Sequence, residues 1–110
     1  MSNLAHQHCT PLEGGQPLSV DDLAKRLPEV PGWALAGEFI EKTFSFGNYY
    51  ETLAFVNSLA WIFHQEDHHP ELVVTYNRCV VRFNTHSVNG ISLNDLICAA
   101  KVNALLAPSS

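Results

Sequence analysis

The chain has 110 residues, of which 46% are hydrophobic and 15% are charged, and its formal net charge is −5. This length and composition fit a single globular domain, and the scattered basic residues argue against a nucleic-acid partner. No apolar run is long enough to span a membrane. The polar N-terminus has no apolar leader, and cysteines without CxxC spacing suit reduced thiols, so we expect a cytoplasmic protein.

The chain opens with an arm that precedes the domain. Residues 1–17 contain proline and glycine without periodicity and predict a flexible N-terminal arm, followed by a single domain over residues 18–110. Ser19 and Asp22 have the spacing of a capping box. A short helix is therefore predicted to begin there and to end at Pro28.

Two strands are predicted after this helix. A short strand over residues 33–35 is followed by a longer strand over residues 39–46, in which apolar and polar residues alternate. Lys42 breaks the apolar face of the longer strand. We therefore expect that strand to lie near an edge of the sheet.

The apolar period changes to three and four residues over residues 49–67, which predicts a long helix. Its predicted core face consists of Tyr49, Leu53, Val56, Ala60 and Phe63, widened by Phe55, Leu59 and Ile62. Trp61 lies off this face, and we expect it to serve a contact between subunits.

Two further strands and a last helix complete the domain. The strands are predicted at residues 72–76 and 79–86, and Ser92 to Asp95 opens the helix with a second capping-box pattern. The core face of the second strand is predicted to be Cys79, Val81, Phe83 and Thr85. The core face of the helix is predicted to be Leu93, Leu96, Ile97, Ala100 and Ala104.

The order of elements is thus α-β-β-α-β-β-α. Two hairpins separated by a long helix predict an α+β fold, in which three helices pack on one face of a four-stranded antiparallel sheet.

The histidines are concentrated in the second half of the domain. His68 and His69 precede Pro70, which disfavours the helical conformation for His69, so the helix is predicted to end near His68. His86 ends a strand that pairs with the strand after Pro70. We therefore expect three imidazoles to converge at one end of the sheet, where they suit general acid–base chemistry on a neutral substrate.

Each of these residues also has a simpler interpretation. His86 could be a surface residue at a strand end, the His68–His69 pair could interact with the C-terminal dipole of the helix, and Asp95 could act only as a helix cap. A metal site is a further alternative, because His64 and His68 are four residues apart and either His69 or His86 could supply a third ligand. His6, His8 and Cys9 in the arm lack a fourth ligand. A zinc protease is excluded, because Gln65 follows the first histidine where that motif has glutamate.

The spaced residues of this segment resemble the pterin-4a-carbinolamine dehydratases. That family has His-His-Pro, then an aromatic residue, Thr-His, and Gly-Leu-Ser/Thr-x-x-Asp. This chain has His68-His69-Pro70, Tyr76, Thr85-His86 and Gly90-Ile91-Ser92-Leu93-Asn94-Asp95. Pro31-Gly32-Trp33, Phe44-Ser45-Phe46 and Ala54-Phe55 are also similar, and the resemblance covers roughly residues 19–105.

The resemblance implies the dehydration of 4a-hydroxytetrahydropterin to quinonoid dihydropterin, which recycles the pterin after aromatic amino-acid hydroxylation. It implies neither a metal nor an organic cofactor. The implied catalytic residues are His68, His69, His86 and Asp95, the last of which would orient a neighbouring histidine. The implied substrate-binding residues are His68, His69, Pro70, Thr85, His86 and Ser87.

The resemblance also implies a homodimer or homotetramer, and an aromatic amino-acid hydroxylase is a conceivable partner. The alternatives are an interaction module of the coactivator type and a diverged pterin-binding protein of molybdopterin metabolism. His64 departs from the family pattern, which usually has glutamate four residues before the first histidine. Glu66 or Asp67 would then replace that carboxylate, or His68 would be tuned differently.

Overall fold

The computed structural model describes residues 3–12 and 14–106. The chain forms three α-helices and four β-strands in the order predicted. They are α1 (Val20–Arg26), β1 (Ala34–Ala36), β2 (Phe39–Ser45), α2 (Tyr49–Glu66), β3 (Glu71–Val74), β4 (Arg78–Phe83) and α3 (Leu93–Leu106). Short 3-10 helices lie at Leu4–His6, Leu27–Glu29 and His86–Val88.

The four strands form one antiparallel sheet in the order β1-β2-β4-β3, which confirms the predicted α+β fold. The prediction that the second strand lies near an edge is wrong, because β2 pairs with β1 on one side and with β4 on the other. Lys42 is tolerated in this inner strand because its ammonium group donates to the backbone oxygen of Pro31 and to Asn103 Oδ1. The ordinary rule that a charge marks an edge fails here, since a carbonyl oxygen before β1 and a side-chain oxygen near the end of α3 accept from the ammonium group.

Strand β4 supplies much of the core, and the predicted alternation is confirmed. The side chains of Cys79, Val81, Phe83 and Thr85 are buried, and Arg82 on the opposite face pairs with Glu41 and Glu71. Every second residue from 79 to 85 thus faces the core, and this alternation continues to the end of the sheet that lies beside the histidines.

The core face of α2 differs in part from the prediction. The buried residues of this helix are Thr52, Phe55, Leu59 and Glu66, whereas Tyr49 is 41% exposed and Ala60 is exposed. Thr52 can face inward because its hydroxyl donates to the backbone oxygens of Asn48 and Tyr76. In α3, Leu93 and Ala104 are exposed, while Leu96, Ile97 and Ala100 are buried as predicted.

The described part of the predicted arm lies against the domain. Leu4 is fully buried in the core, and Lys101 Nζ on α3 donates to the backbone oxygen of Ala5 over 2.9 Å. The flexibility of residues 1–17 stays a prediction, but Leu4, Ala5, Cys9 and Thr10 have defined partners. None of the helices among the described residues has the length and apolar character needed to cross a membrane.

Candidate active site

A cleft of about 550 Å³ lies where the C-terminal end of α2 meets the end of β4 and the start of α3. Four groups of residues line it: residues 9–12 of the arm, residues 65–69 at the end of α2, residues 84–87 after β4, and Asn94. The predicted residues His68, His69, Thr85, His86 and Ser87 are all among them. The structure therefore brings the three predicted pocket histidines to one cavity.

The end of α2 places the first two histidines. The helix ends at Glu66, and Asp67 takes the left-handed conformation with φ 49° and ψ 44°. The backbone N–H groups of Asp67 and His68 both point back to the carbonyl oxygen of Phe63, which ends the helix within two residues of the predicted position. Pro70 then favours an extended chain, so His69 leaves the helix axis and reaches the cleft.

His68 is held by a buried carboxylate. Its Nε2 atom lies 2.6 Å from Asp95 Oδ1, and Asp95 is fully buried at the start of α3. The imidazole also stacks on Phe83, with ring centroids 5.8 Å apart and an interplanar angle of 9°. These two contacts fix both the position and the plane of the ring.

Asp95 belongs to a directed chain of hydrogen bonds. Its Oδ2 atom accepts from the Thr85 hydroxyl at 2.7 Å and from the Ser92 backbone N–H at 2.9 Å. Because the Thr85 hydrogen is used for the carboxylate, the Ser92 hydroxyl, 2.6 Å away, is the donor to Thr85 Oγ1. Every polar group around the carboxylate therefore donates toward it. His68 completes the set by donating its Nε2 hydrogen, which leaves Nδ1 as the nitrogen without a hydrogen in the neutral ring.

Other predicted residues have different positions. His69, His86 and Ser87 are exposed at the surface of the cleft. Asp95 and Pro70 do not line the cleft, so Asp95 can act only through its partners there, His68 and Thr85. The contact of Pro70 with substrate stays a prediction. Tyr76 stacks on Tyr49 at the N-terminal end of α2, the opposite end of a helix about 27 Å long.

His64 lies outside the cleft, on the outer face of α2. It is exposed, and its ring is 6.4 Å from that of Trp61. The metal interpretation therefore loses its first predicted ligand. Within residues 3–12 and 14–106, no group of three or more His, Cys, Asp or Glu side chains is arranged to hold a metal ion.

Glu66 does not replace the glutamate that the family pattern has at the position of His64. Its carboxylate accepts from the Cys9 backbone N–H at 2.7 Å and from His8 Nδ1 at 2.9 Å, and Lys101 Nζ lies 3.7 Å away. Burial by itself raises the pKa of this carboxyl, but the two hydrogen bonds and the charge of Lys101 outweigh it, so the pKa of Glu66 lies below its usual value. The carboxylate that contacts His68 is Asp95.

One wall of the cleft was not predicted from the sequence. It consists of Cys9, Thr10, Pro11 and Leu12 and is termed the arm wall. Asn94 and Glu66 were missed with it. The arm has no periodicity that could place it. The only local signal was the pair of polar residues, Glu66 and Asn94, at positions that the helical patterns turn toward the protein interior.

The fold and the cleft define an α+β protein in which three histidines line one cleft. The Pterin 4 alpha carbinolamine dehydratase family pattern matches residues 16–105, and the chain belongs to this family. The three histidines of the family pattern, His68, His69 and His86, line the cleft.

Relatives in bacteria match almost the whole chain. A protein of Nitrosospira multiformis, named "Putative pterin-4-alpha-carbinolamine dehydratase", is 48% identical over 106 residues, which cover 96% of this chain and 94% of that protein. A protein of the same name from Xanthomonas campestris pv. campestris is 57% identical over 105 residues, which cover 93% of this chain and 89% of that protein.

Two solved structures are similar in fold. A transcriptional coactivator/pterin dehydratase from Brucella melitensis is 31% identical with a TM-score of 0.79, and the match covers 84% of this chain and all of that one (100%). A pterin dehydratase-like protein identified as a RuBisCO assembly factor in the alpha-carboxysome is 25% identical with a TM-score of 0.60, and the match covers 71% and 93% of the two chains.

Proposed function

We propose that this protein is a hydro-lyase that dehydrates 4a-hydroxytetrahydrobiopterin to quinonoid dihydropterin. The observation that carries the proposal is the contact of 2.6 Å between His68 and the buried Asp95, in a cleft that His69 and His86 also line. Membership of the family supports the same chemistry. No metal and no organic cofactor take part in the proposed reaction.

The reaction needs one proton donor and one proton acceptor. The bond between C4a and the hydroxyl oxygen breaks, and a protonated histidine gives its proton to the departing hydroxyl, which leaves as water. A neutral histidine takes the proton from N5, and the electron pair of the N–H bond forms the C4a=N5 double bond. Histidine suits both roles near neutral pH.

The contacts of His68 favour it as the acceptor. Asp95 accepts a hydrogen bond from the Nε2–H group, so the free Nδ1 atom is the one that can receive the proton from N5, and the carboxylate stabilises the imidazolium that results. His69 and His86 are exposed at the cleft. One of these two is the proposed donor to the hydroxyl, and Thr85 and Ser87 complete the binding surface with Pro70.

In this proposal the enzyme is cytoplasmic and recycles the pterin of an aromatic amino-acid hydroxylase, which is its proposed partner. It is proposed to be a homodimer or homotetramer. Trp61 and Tyr50 support a subunit contact, because they are 64% and 80% exposed on the outer face of α2.

The test is the dehydratase rate on 4a-hydroxytetrahydropterin for the purified protein and for its His68→Ala, His69→Ala and His86→Ala variants. His68→Ala removes the proposed acceptor, and we expect kcat to fall by about a hundredfold or more. Of His69→Ala and His86→Ala, the variant that removes the donor should show a fall in kcat by a similar factor, and the comparison of the two identifies the donor. A matched control is His64→Ala, which should keep the wild-type rate because His64 lies outside the cleft. Addition of a chelator should leave the rate unchanged.

Rates near wild type in all three cleft variants would defeat the proposed assignment. An inactive wild-type protein would instead favour one of two other functions. The first is an interaction protein of the coactivator or assembly-factor type, which the names of the two structural neighbours suggest. The second is a pterin-binding protein of molybdopterin metabolism. Both would keep the cleft but not the turnover of this substrate.

A further inference from the structure

The arm wall lines the cleft together with the histidines of the helix and strand ends. Its side chains are a thiol, a hydroxyl, a proline ring and the leucine side chain of Leu12, which is 37% exposed. An apolar side chain left partly open at a cleft is suited to contact a flat ring. The arm wall thus adds both polar and apolar residues to the lining of the cleft.

Asn94 clamps the arm wall to the start of α3. Its Oδ1 atom accepts from the Thr10 backbone N–H at 3.0 Å, and its Nδ2 atom donates to the Thr10 carbonyl oxygen over 2.8 Å. One side chain thereby satisfies both backbone groups of one residue, as a neighbouring β-strand would. Asn94 is buried, and the two bonds together hold the backbone of Thr10 in place.

A second anchor lies one residue earlier. Glu66 accepts from the Cys9 backbone N–H, and the Cys9 thiol donates to the Asn94 carbonyl oxygen at 3.5 Å. Glu66 lies two residues before His68, and Asn94 lies one residue before Asp95. The arm wall is therefore fastened to the same two chain segments that hold the His68–Asp95 pair.

We propose that the arm wall, and Leu12 in particular, is a substrate-binding surface that sets the affinity of the site for the pterin without taking part in proton transfer. The inference rests on the proposed function, since it names the pterin as the ligand. Thr10, Pro11 and Leu12 carry no group that titrates near neutral pH, so they can contribute contact area and exclusion of water but no proton. Their contribution is the same in the substrate and in the transition state, and such uniform binding appears in KM and not in kcat.

The experiment compares wild type, Leu12→Ala and Asn94→Ala by steady-state dehydratase kinetics on 4a-hydroxytetrahydropterin. It also measures the dissociation constant of 7,8-dihydrobiopterin, which has no 4a-hydroxyl to lose, by titration calorimetry. We expect Leu12→Ala to raise KM and this dissociation constant by a common factor of about three to ten, with kcat within about twofold of wild type. Asn94→Ala releases Thr10, and we expect the same pattern with a larger factor.

The matched control is Leu105→Ala, since Leu105 is 42% exposed on α3 and does not line the cleft. It should leave KM, kcat and the dissociation constant unchanged. The inference is overturned if Leu12→Ala behaves like this control, or if it lowers kcat while KM stays constant. Should the wild type bind 7,8-dihydrobiopterin without dehydrating the substrate, the proposed function fails, and the dissociation constants of Leu12→Ala and Leu105→Ala still decide the role of the arm wall.

Discussion

His68 differs from the other two cleft histidines in what surrounds it. It alone among the three is held by a buried carboxylate, and its ring lies flat on the buried Phe83. His69 and His86 are exposed. A fixed ring with a defined tautomer is suited to accept a proton from one atom of a bound substrate, whereas exposed rings can be reprotonated by water. The division of roles in the proposed mechanism follows from this difference.

Asp95→Asn tests that division. The amide keeps the size of the side chain but removes the negative charge, and its NH₂ group places a donor where the carboxylate accepts from Thr85, Ser92 or His68. We expect kcat to fall by about a hundredfold or more, with KM little changed, because the histidine loses both its tautomer and the stabilisation of its charged form. Steady-state kinetics measured across pH would show the basic group of the profile shifted or lost.

The control for this variant is Asp22→Asn, which alters an exposed aspartate in the first turn of α1. It should retain the wild-type rate and pH profile. A rate for Asp95→Asn within a factor of about three of wild type would show that Asp95 serves only to cap α3.

At the scale of elements, the core face of α2 was predicted only in part. Its inward face includes two polar side chains, Thr52 near the start and Glu66 at the end. Neither residue was included in the predicted core face, because hydrophobic periodicity counts a polar residue as solvent-exposed, even though Glu66 falls at an inward position of the helical pattern. The predicted stripe was therefore displaced toward Tyr49 and Ala60, although the limits of the helix were predicted almost to the residue.

Glu66→Gln tests the role of the helix end in holding the arm. The pKa of Glu66 is below its usual value of 4.5, so its bonds stabilise the fold above that pH, and this stability is lost as the pH falls through the folded-state pKa. The glutamine variant lacks the charge that attracts His8 and Lys101, and we expect the free energy of unfolding at pH 7 to fall by about 1–2 kcal/mol. The difference from wild type should shrink below about pH 4.

Denaturant unfolding at several pH values provides the measurement. Glu71→Gln is the matched control, because Glu71 pairs with Arg82 through a carboxylate that is half exposed, and such pairs contribute little. A loss for Glu66→Gln that is no larger than the loss for Glu71→Gln, or that does not depend on pH, would contradict the assignment.

At the scale of the whole molecule, sequence patterns predicted those features that are set by residues close together in the chain, namely where helices and strands begin and end. Two local signals bound the site. Pro70 after two histidines predicted the end of α2, and the capping sequence from Ser92 to Asp95 predicted the start of α3. The arm wall depends instead on pairings such as Thr10 with Asn94, which are 84 residues apart. A polar segment without periodicity gives no sign of its partners, so the arm was predicted as a flexible extension.

The same long-range packing brings two thiols together. Cys9 Sγ in the arm lies 3.6 Å from Cys98 Sγ in α3. Because the Cys9 hydrogen goes to the Asn94 carbonyl, Cys98 donates to Cys9, and this bond, together with burial, raises the pKa of the Cys98 thiol. Cys98 therefore stays a thiol at neutral pH, and the pair is reduced unless an oxidant acts on the more accessible Cys9.

Oxidation with diamide should remove one hydrogen from each thiol and join Cys9 to Cys98, while the buried Cys79 on β4 stays free. This bond would close a loop through most of the chain, and we expect it to stabilise the fold by roughly 2–4 kcal/mol and to raise Tm by about 10 °C. Peptide mass spectrometry without reductant identifies the linked pair, and thermal unfolding measures the gain. Cys98→Ser should show neither effect. A disulfide that involves Cys79, or an oxidised form that melts no higher than the reduced one, would contradict the packing of the arm against α3.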